Sequence, residues 1–188
     1  MAAESSATEQ GSREPPARRL ERRLVREAQR GSAEALAELY TAHWPRAHRA
    51  AYLVVHDSAA AEDVAQDAFL AAVDALDRFD RRRPFAPWLH RIVVNRAIDW
   101  GRREELRRAV DDPDRQPAAE LPPEAVGSEA MEALAELPVD QRAVVVLRYL
   151  LDYTPGEIGH MLDLPRGTVN SRLRRGLDRL GELLGEER

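Results

Sequence analysis

Basic, amide and hydroxyl side chains are concentrated near the C-terminus, in a pattern that suits the recognition of DNA. Five of the eight arginines that follow residue 128 lie between Arg166 and Arg179. In a helix with about 100° per residue, the polar residues of this segment lie on one face or along its flanks. The candidates for contact with DNA are Arg166, Thr168, Asn170, Ser171, Arg174 and Arg175. Arginine can read guanine and asparagine can read adenine in the major groove, so this helix is predicted to bind duplex DNA.

The residues just before this segment predict a second helix and a tight turn. Thr154, Pro155 and Glu157 have the spacing of a capping box with proline in the first helical position. This helix should end near Leu162, and residues 163–165 should turn the chain into the polar helix. The inward face of the polar helix is predicted to contain Val169, Leu173, Gly176, Leu177 and Leu180. The pattern indicates a helix-turn-helix; the alternative is a bundle helix whose arginines are only solvated.

A helix predicted over about residues 59–78 has two contrasting faces. One face can enter a core and contains Val64, Ala65, Ala68, Phe69, Ala72, Ala75 and Leu76. The opposite face contains Asp63, Gln66, Asp67, Leu70 and Asp74. A leucine among acidic residues on an outward face is typical of a protein-binding surface with an apolar anchor and a polar rim. The alternative is a solvated acidic face with one exposed leucine.

Arginines, aromatic residues and an asparagine follow in a predicted loop, FDRRRPFAP over residues 79–87, and in a helix from about Trp88 to Arg103. This combination suits single-stranded DNA, because arginine attracts phosphates, aromatic rings stack on bases and amides bond base edges. The candidates are Arg82, Arg83, Phe85, Trp88, Arg91, Asn95 and Arg102. The inward face of the helix should contain Leu89, Val93, Ala97 and Trp100. Taken alone, Trp88 is more typical of a core residue than of a stacking platform.

The chain is predicted to be all-α, with two small helical domains joined by a flexible linker. Residues 1–19 are predicted to form a disordered tail, residues 20–109 the first domain and residues 129–188 the second. Residues 110–128 contain four prolines and several acids, and this composition predicts a linker. Within the first domain, Pro45 is predicted to kink or split a long helix, and Asp57 or Ser58 to cap the next one.

Composition excludes several classes of site. The chain has no cysteine, and its five histidines lack ligand spacing, so neither a metal nor a cofactor is expected. No motif for nucleotide binding or catalysis is present, so the protein is not expected to be an enzyme. A secretory signal and a membrane-spanning run are also missing, and a cytoplasmic location without membrane contact is expected. The sequence also allows two other functions, a regulator whose first domain senses a ligand and an adaptor that binds only proteins.

Four ordered segments together resemble the extracytoplasmic-function (ECF) group of the sigma-70 family of RNA polymerase sigma factors. They read AEDVAQDAFL, PFAPWLHRIVVNRAIDWGRR, LPVDQRAVVVLRYL and EIGHMLDLPRGTVNSRL. The resemblance covers about residues 20–103 and 129–184, and it implies a sigma region 2 domain followed by a sigma region 4 domain. Two positions depart from the group. Asn170 replaces a residue that is usually basic, and Gly159 replaces a usual alanine.

The resemblance also implies a role for each candidate surface. The acidic face would grip the clamp helices of the largest polymerase subunit, and the flap of the second-largest subunit is a further expected contact. The arginine-containing loop and the following helix would recognise and melt the minus-ten element of promoter DNA. The helix-turn-helix would read the minus-thirty-five element. Members of this group are commonly held inactive by an anti-sigma factor, which is a further expected type of partner.

Overall fold

A computed structural model of the chain describes residues 15–111 and 128–185, and the regular elements in these two ranges are all helices. The α-helices are α1 Pro16–Ala28, α2 Ala33–Val55, α3 Ser58–Ala75, α4 Phe85–Asp111, α5 Ser128–Ala135, α6 Val139–Val145, α7 Pro155–Leu162 and α8 Arg166–Leu183. A 3-10 turn over Leu76–Arg78 extends α3, and a π-helical turn over Val146–Leu150 extends α6. The all-α prediction is confirmed. Most of the predicted tail and linker lie outside the described residues.

Helices α1–α4 form the N-terminal half, and their ends follow local capping chemistry. The Ser32 hydroxyl accepts a hydrogen bond from the Ala35 amide at 3.1 Å, and the Asp57 carboxylate caps α3 through the Ala60 amide at 2.8 Å. Helix α2 continues through Pro45 without a break, so the prediction of a split is wrong. Apolar residues on both sides of the proline, including Leu39 and Ala47, are buried in one core, and this packing outweighs the lost hydrogen bond.

Two helices are longer than the sequence predicts. Helix α1 begins at Pro16, so four residues assigned to the tail are helical; proline suits the first turn because its amide would be unpaired there. Helix α4 begins at Phe85 and continues to Asp111, so the predicted loop is shorter than expected. In consequence, Phe85, which was predicted to lie in the loop, is the first residue of helix α4.

The C-terminal half contains the predicted helix-turn-helix. The Thr154 amide donates to the Glu157 carboxylate at 2.8 Å, and the Glu157 amide donates back to the Thr154 hydroxyl at 3.3 Å. Asp163 adopts the left-handed conformation (φ 54°) at the end of α7. The turn brings the Leu164 carbonyl so close to Gly159 that a Cβ there would lie 2.7 Å from its oxygen. The close approach explains why glycine stands at this position.

The two halves pack against each other through one continuous apolar core. Helices α2 and α4 contact α6, and α4 also contacts α7. At one close contact, a Cβ built on Gly101 of α4 would lie 2.5 Å from Cγ2 of Val139 of α6. The Val139 amide donates to the Glu105 carboxylate at 2.8 Å. The domains are therefore distinct in sequence but closed on each other in this structure. No helix in the described ranges is long and apolar enough to cross a membrane.

Candidate protein and nucleic-acid interfaces

The outward surface of α3, here called the acidic face, is formed by Asp63, Gln66, Asp67, Leu70 and Asp74. All five side chains are exposed, and Leu70 is 64% exposed. The predicted inward residues are all buried except Ala75, which is half-buried. Within residues 15–111 and 128–185, the three aspartates of this face form no ion pair, and Gln66 donates only to Glu62 at 3.1 Å. The structure thus presents an apolar side chain among unneutralised carboxylates.

A tight turn between α3 and α4 presents the two predicted loop arginines, Arg82 and Arg83, to solvent. The Arg83 amide donates to the Asp80 carbonyl at 2.9 Å, and the Arg82 amide donates to the Asp80 carboxylate at 3.0 Å. Helix α1 holds this turn from the side, because Arg18 donates to the Arg82 carbonyl at 3.4 Å. We call residues 80–84 the arginine loop.

The aromatic residues beside the arginine loop are largely inward. Phe85 is only 4% exposed, and its ring lies 5.8 Å from Phe79 and 5.5 Å from Trp88. Trp88 is half-buried and packs on Phe79 at 4.6 Å. The Phe85 amide donates to the Glu21 carboxylate at 3.3 Å. The expectation that Phe85 faces DNA does not fit this burial; the side chain instead anchors the start of α4.

Glu21 is the α1 carboxylate that receives this bond, and it also lies 3.3 Å from Nε2 of His43. Burial alone would raise the pKa of Glu21, but the hydrogen bonds from His43 and the Phe85 amide outweigh it and hold the pKa below its ordinary value. The carboxylate is therefore ionised and links α1, α2 and α4.

The polar face of α4 is shared between solvent and the C-terminal half. Arg91 is exposed. Nδ2 of Asn95 donates to the Arg91 carbonyl at 2.8 Å and to the Met161 carbonyl at 3.1 Å. Further along, Arg102 donates to the Asp140 carboxylate at 2.8 Å. Two of the seven residues predicted to contact single-stranded DNA are thus engaged by α6 and α7.

Helix α8 presents most of its predicted polar residues outward. Arg166, Asn170, Arg174 and Arg175 are exposed, whereas Thr168 and Ser171 are half-buried. The Ser171 hydroxyl donates to the Thr168 carbonyl at 2.9 Å, so part of its bonding capacity is used within the helix. The neighbouring Arg172 lies 3.4 Å from the Asp140 carboxylate.

The predicted inward face of α8 is correct except at Leu177. Val169, Leu173 and Gly176 are buried and Leu180 is half-buried, but Leu177 is 41% exposed. Helix α8 packs closely on α6 at Gly176, where a Cβ would lie 3.1 Å from Val145. The next residue is rotated by about 100° away from that contact, which places it at the edge of the buried face.

Arg142 joins the two halves and was not singled out by the sequence. The half-buried side chain donates to the carbonyls of Val54 at 2.6 Å, Ala135 at 2.5 Å and Leu137 at 2.8 Å. Burial lowers the pKa of Arg142 to about 10, so the guanidinium remains charged at neutral pH. Helical periodicity gives no signal for such a residue, since its partners are carbonyl groups brought together by the tertiary structure.

Two buried histidines also lie where the halves meet. His90 of α4 and the hydroxyl of Tyr153 share a hydrogen bond of 2.7 Å. Burial lowers the pKa of His90 to about 4, and the charges of His43 and Arg46 contribute. Burial likewise lowers the pKa of His56 to about 3, with a further contribution from Arg142. Both imidazoles are neutral at physiological pH.

Comparison with known proteins places both halves in one family. Sigma-70 region 2 matches residues 39–107, and sigma-70 region 4 matches residues 128–180. The chain is 36% identical to the ECF RNA polymerase sigma factor SigM of Mycobacterium tuberculosis over 82% of this chain and 80% of the relative. It is 30% identical to the ECF RNA polymerase sigma factor SigW of Bacillus subtilis over 87% and 96%, respectively.

Solved structures share the fold. CnrH in complex with the cytosolic domain of CnrY is 28% identical, with a TM-score of 0.64, and the match covers 90% of this chain and 99% of CnrH. The sigma factor RpoE of Bartonella quintana, in complex with the anti-sigma factor NepR, is 24% identical with a TM-score of 0.68 over 81% of this chain and 98% of RpoE. The second match supports the fold alone.

Proposed function

The chain belongs to the ECF group of the sigma-70 family of RNA polymerase sigma factors, which act in transcription initiation, and we propose specific roles for its three surfaces. The N-terminal half, region 2, docks on core polymerase and captures the melted minus-ten element. The C-terminal half, region 4, reads the minus-thirty-five element. The observation that carries the proposal is the acidic face. An exposed leucine surrounded by unpaired carboxylates is typical of a surface that binds another protein.

The acidic face is proposed to bind the clamp helices of the largest polymerase subunit. Leu70, with Val73 one turn further and 39% exposed, supplies the apolar anchor. Asp63 and Asp67 lie one turn apart on the same helix and would meet basic residues of the partner, which also speeds association. On region 4, Tyr149 and Leu150 form an exposed apolar patch suited to the flap of the second-largest subunit.

Arg82, Arg83 and Arg91 are proposed to hold the phosphates of the melted minus-ten strand. They are exposed, and along the chain they precede and follow the half-buried Trp88. Asn95 and Arg102 complete this surface only after region 4 moves away, because both now bond to region 4. Strand opening costs base pairing and stacking, and captured bases and phosphates offset that cost. Phe85 contributes by fixing the arginine loop rather than by touching a base.

Helix α8 is proposed to enter the major groove at the minus-thirty-five element. Arg166, Arg174 and Arg175 are exposed for bases or phosphates, and Asn170 gives an amide where related proteins usually have a basic residue. Thr168 and Ser171 lie at the edge of this surface and suit phosphate contacts. We place the protein's action in the cytoplasm with the polymerase. An anti-sigma factor is a further proposed partner, since the similar protein CnrH forms a complex with another protein, the cytosolic domain of CnrY.

Run-off transcription with core polymerase on genomic promoter fragments tests the proposal. We expect new start sites when the chain is added, and the absence of any new start site contradicts the function. Asp63→Arg combined with Asp67→Arg should abolish co-elution with core polymerase, because the charge of the contact is reversed. The matched control reverses Glu132 and Glu136, two exposed acids on or beside α5, and should co-elute as the unmodified chain does. Equal co-elution of both variants would exclude the acidic face as the docking surface.

A further inference from the structure

Helix α1 contacts the segment that connects α3 to α4 at both of its ends. Nε2 of Gln29 donates to the carbonyl of Leu76 at 2.9 Å and to the carbonyl of Phe79 at 3.0 Å. At the other end of the segment, the Glu21 carboxylate accepts the Phe85 amide at 3.3 Å. Side chains of α1 bond backbone atoms here, so these bonds fix where the segment lies whatever side chains it carries. Between the two ends lies the arginine loop.

The spacing of Glu21 and Gln29 makes α1 a rigid spacer between the two contacts. The two residues are eight positions apart, so they are separated by about 12 Å along the helix axis. Gln29 directly follows α1 and still has helical backbone angles, which places both residues within about 80° of each other around the helix. Val25 lies between them and is 1% exposed, so the core fixes the rotation of this face.

Glu21 is itself held in place, and it also fixes the start of α4. Nε2 of His43 lies 3.3 Å from the Glu21 carboxylate, and the His43 ring packs on the Phe85 ring at 5.0 Å. The first amides of a helix have no partner within the helix, and a negative charge is favourable beside them. Glu21 meets both needs from another helix. The part of α4 that carries Trp88 and Arg91 therefore starts from a point set by α1.

We infer that Glu21 and Gln29 are positioning residues for promoter opening, because they hold the arginine loop and the start of α4 in the arrangement that captures the melted strand. The inference rests on the proposed function, since the arginine loop belongs to the proposed minus-ten surface. All of α1 precedes residue 39, where the region 2 match begins. A surface that is correctly arranged for only part of the time binds with an affinity reduced by that fraction. The bonds from α1 raise this fraction, although neither residue contacts DNA.

Three variants test the inference as holoenzymes with core polymerase, on a promoter fragment found by the run-off experiment. Glu21→Ala combined with Gln29→Ala removes all three bonds to the segment. Glu21→Ala alone removes the bond to Phe85, whereas Glu21→Gln keeps an oxygen that can accept the Phe85 amide. Promoter opening is measured by the permanganate reactivity of unpaired thymines. Co-elution with core polymerase and the affinity for a duplex that contains only the minus-thirty-five element are measured in parallel.

The matched control changes two residues on and directly after the same helix, Glu27→Ala combined with Arg30→Ala. Glu27 pairs with Arg23 at 3.7 Å, within α1, and Arg30 is exposed. Urea denaturation verifies that every variant folds. A spin label reports on the loop itself: the chain has no cysteine, so Arg81→Cys provides a single attachment site at an exposed position.

We expect the double variant to open the promoter about tenfold less or worse, because three hydrogen bonds that hold the segment are lost. Glu21→Ala should show a smaller loss, and Glu21→Gln should recover most of it. Co-elution with core polymerase and binding to the minus-thirty-five element should stay as in the unmodified chain. The label at residue 81 should become more mobile in the double variant and remain restrained in the control.

Unchanged opening by the double variant overturns the inference, whatever the mobility of the label. An equal loss of opening, core co-elution and minus-thirty-five binding also overturns it, because that pattern would mean a merely structural role for α1. If Glu21→Gln opens the promoter as poorly as Glu21→Ala, the bond to the Phe85 amide does not position the loop. If the unmodified holoenzyme itself opens no promoter, the proposed function fails and the inference fails with it.

Discussion

Nδ2 of Asn95 donates to the Met161 carbonyl at 3.1 Å, and this bond joins the proposed minus-ten surface of region 2 to the first helix of the region 4 helix-turn-helix. An amide nitrogen that is already bonded to two carbonyls is not available to a base edge. Arg102 is engaged in a similar way by Asp140. The closed arrangement therefore covers part of the proposed minus-ten surface, and that part becomes accessible only when the two halves separate.

Tethering the two halves should block promoter opening. The chain has no cysteine, so Glu105→Cys combined with Asp140→Cys can be bridged specifically by a short, cleavable cross-linker. These positions are adjacent in space, because the Val139 amide donates to Glu105. We expect the bridged chain to lose run-off transcription and to regain it after cleavage. The same variant without cross-linker is the control, and transcription at an undiminished level by the bridged chain would show that separation is not required.

Removal of the Arg142 side chain should destabilise the closed fold. Arg142→Met deletes three bonds to carbonyls and leaves those groups without this partner. We expect the free energy of unfolding to fall by about 2–4 kcal/mol, measured by urea denaturation. Arg30→Met at an exposed position should change it by less than about 0.5 kcal/mol. Equal denaturation midpoints for the two variants would contradict the role assigned to Arg142.

Substitution by alanine should have opposite effects on stability at two helical glycines of region 4. Gly159→Ala brings a Cβ to 2.7 Å from the Leu164 carbonyl oxygen, so the turn before α8 must shift. We expect a loss of about 1–3 kcal/mol in the free energy of unfolding, despite alanine's higher helix propensity. Gly181→Ala meets no atom within 4 Å and should stabilise α8 by up to about 1 kcal/mol. Stabilisation by both substitutions would mean that the turn accommodates a side chain.

Acid should weaken the junction of the halves over a defined pH range. The pKa values of His56 and His90 are about 3 and about 4 in the folded chain, below the ordinary 6.5. As the pH falls below 6.5, the unfolded chain binds protons that the folded chain does not, so stability decreases. His56 faces Arg142, and His90 faces His43 and Arg46 as well as Tyr153. We expect the free energy of unfolding, measured by urea denaturation, to fall by about 1–3 kcal/mol between about pH 7 and about pH 5.

A double variant separates this effect from carboxylate titration. Asn tolerates the left-handed backbone of residue 56 (φ 53°), and Gln at residue 90 can still bond Tyr153. In the variant that combines His56→Asn with His90→Gln, the free energy of unfolding should therefore fall less as the pH is lowered through that range. Glu21 and Glu157, whose pKa values lie below the ordinary 4.5, lose their contribution only at lower pH. If the free energy of unfolding of the double variant falls as much as that of the unmodified chain, the loss of stability comes from other titratable groups.

Local features of the fold followed from the sequence because they depend on neighbours along the chain. The capping box of Thr154 and Glu157 needs only a spacing of three residues, and both of its bonds are present. The two faces of α3 follow from helical periodicity, and Leu70 is exposed as that periodicity predicts. The family resemblance likewise depends on ordered motifs, and the relatives confirm it.

The tertiary structure decided which polar and aromatic residues are accessible. Phe85 is buried by rings from α2 and from the segments on either side of the arginine loop, and Asn95 is engaged by a residue 66 positions away. The sequence by itself determined that this is an all-α sigma factor with a helix-turn-helix, because periodicity, capping and ordered motifs are local properties. It did not determine that α1 holds both ends of the segment that contains the arginine loop, or that region 4 covers Asn95. Those relationships arise from contacts between distant segments, which leave no periodic signal in either segment alone.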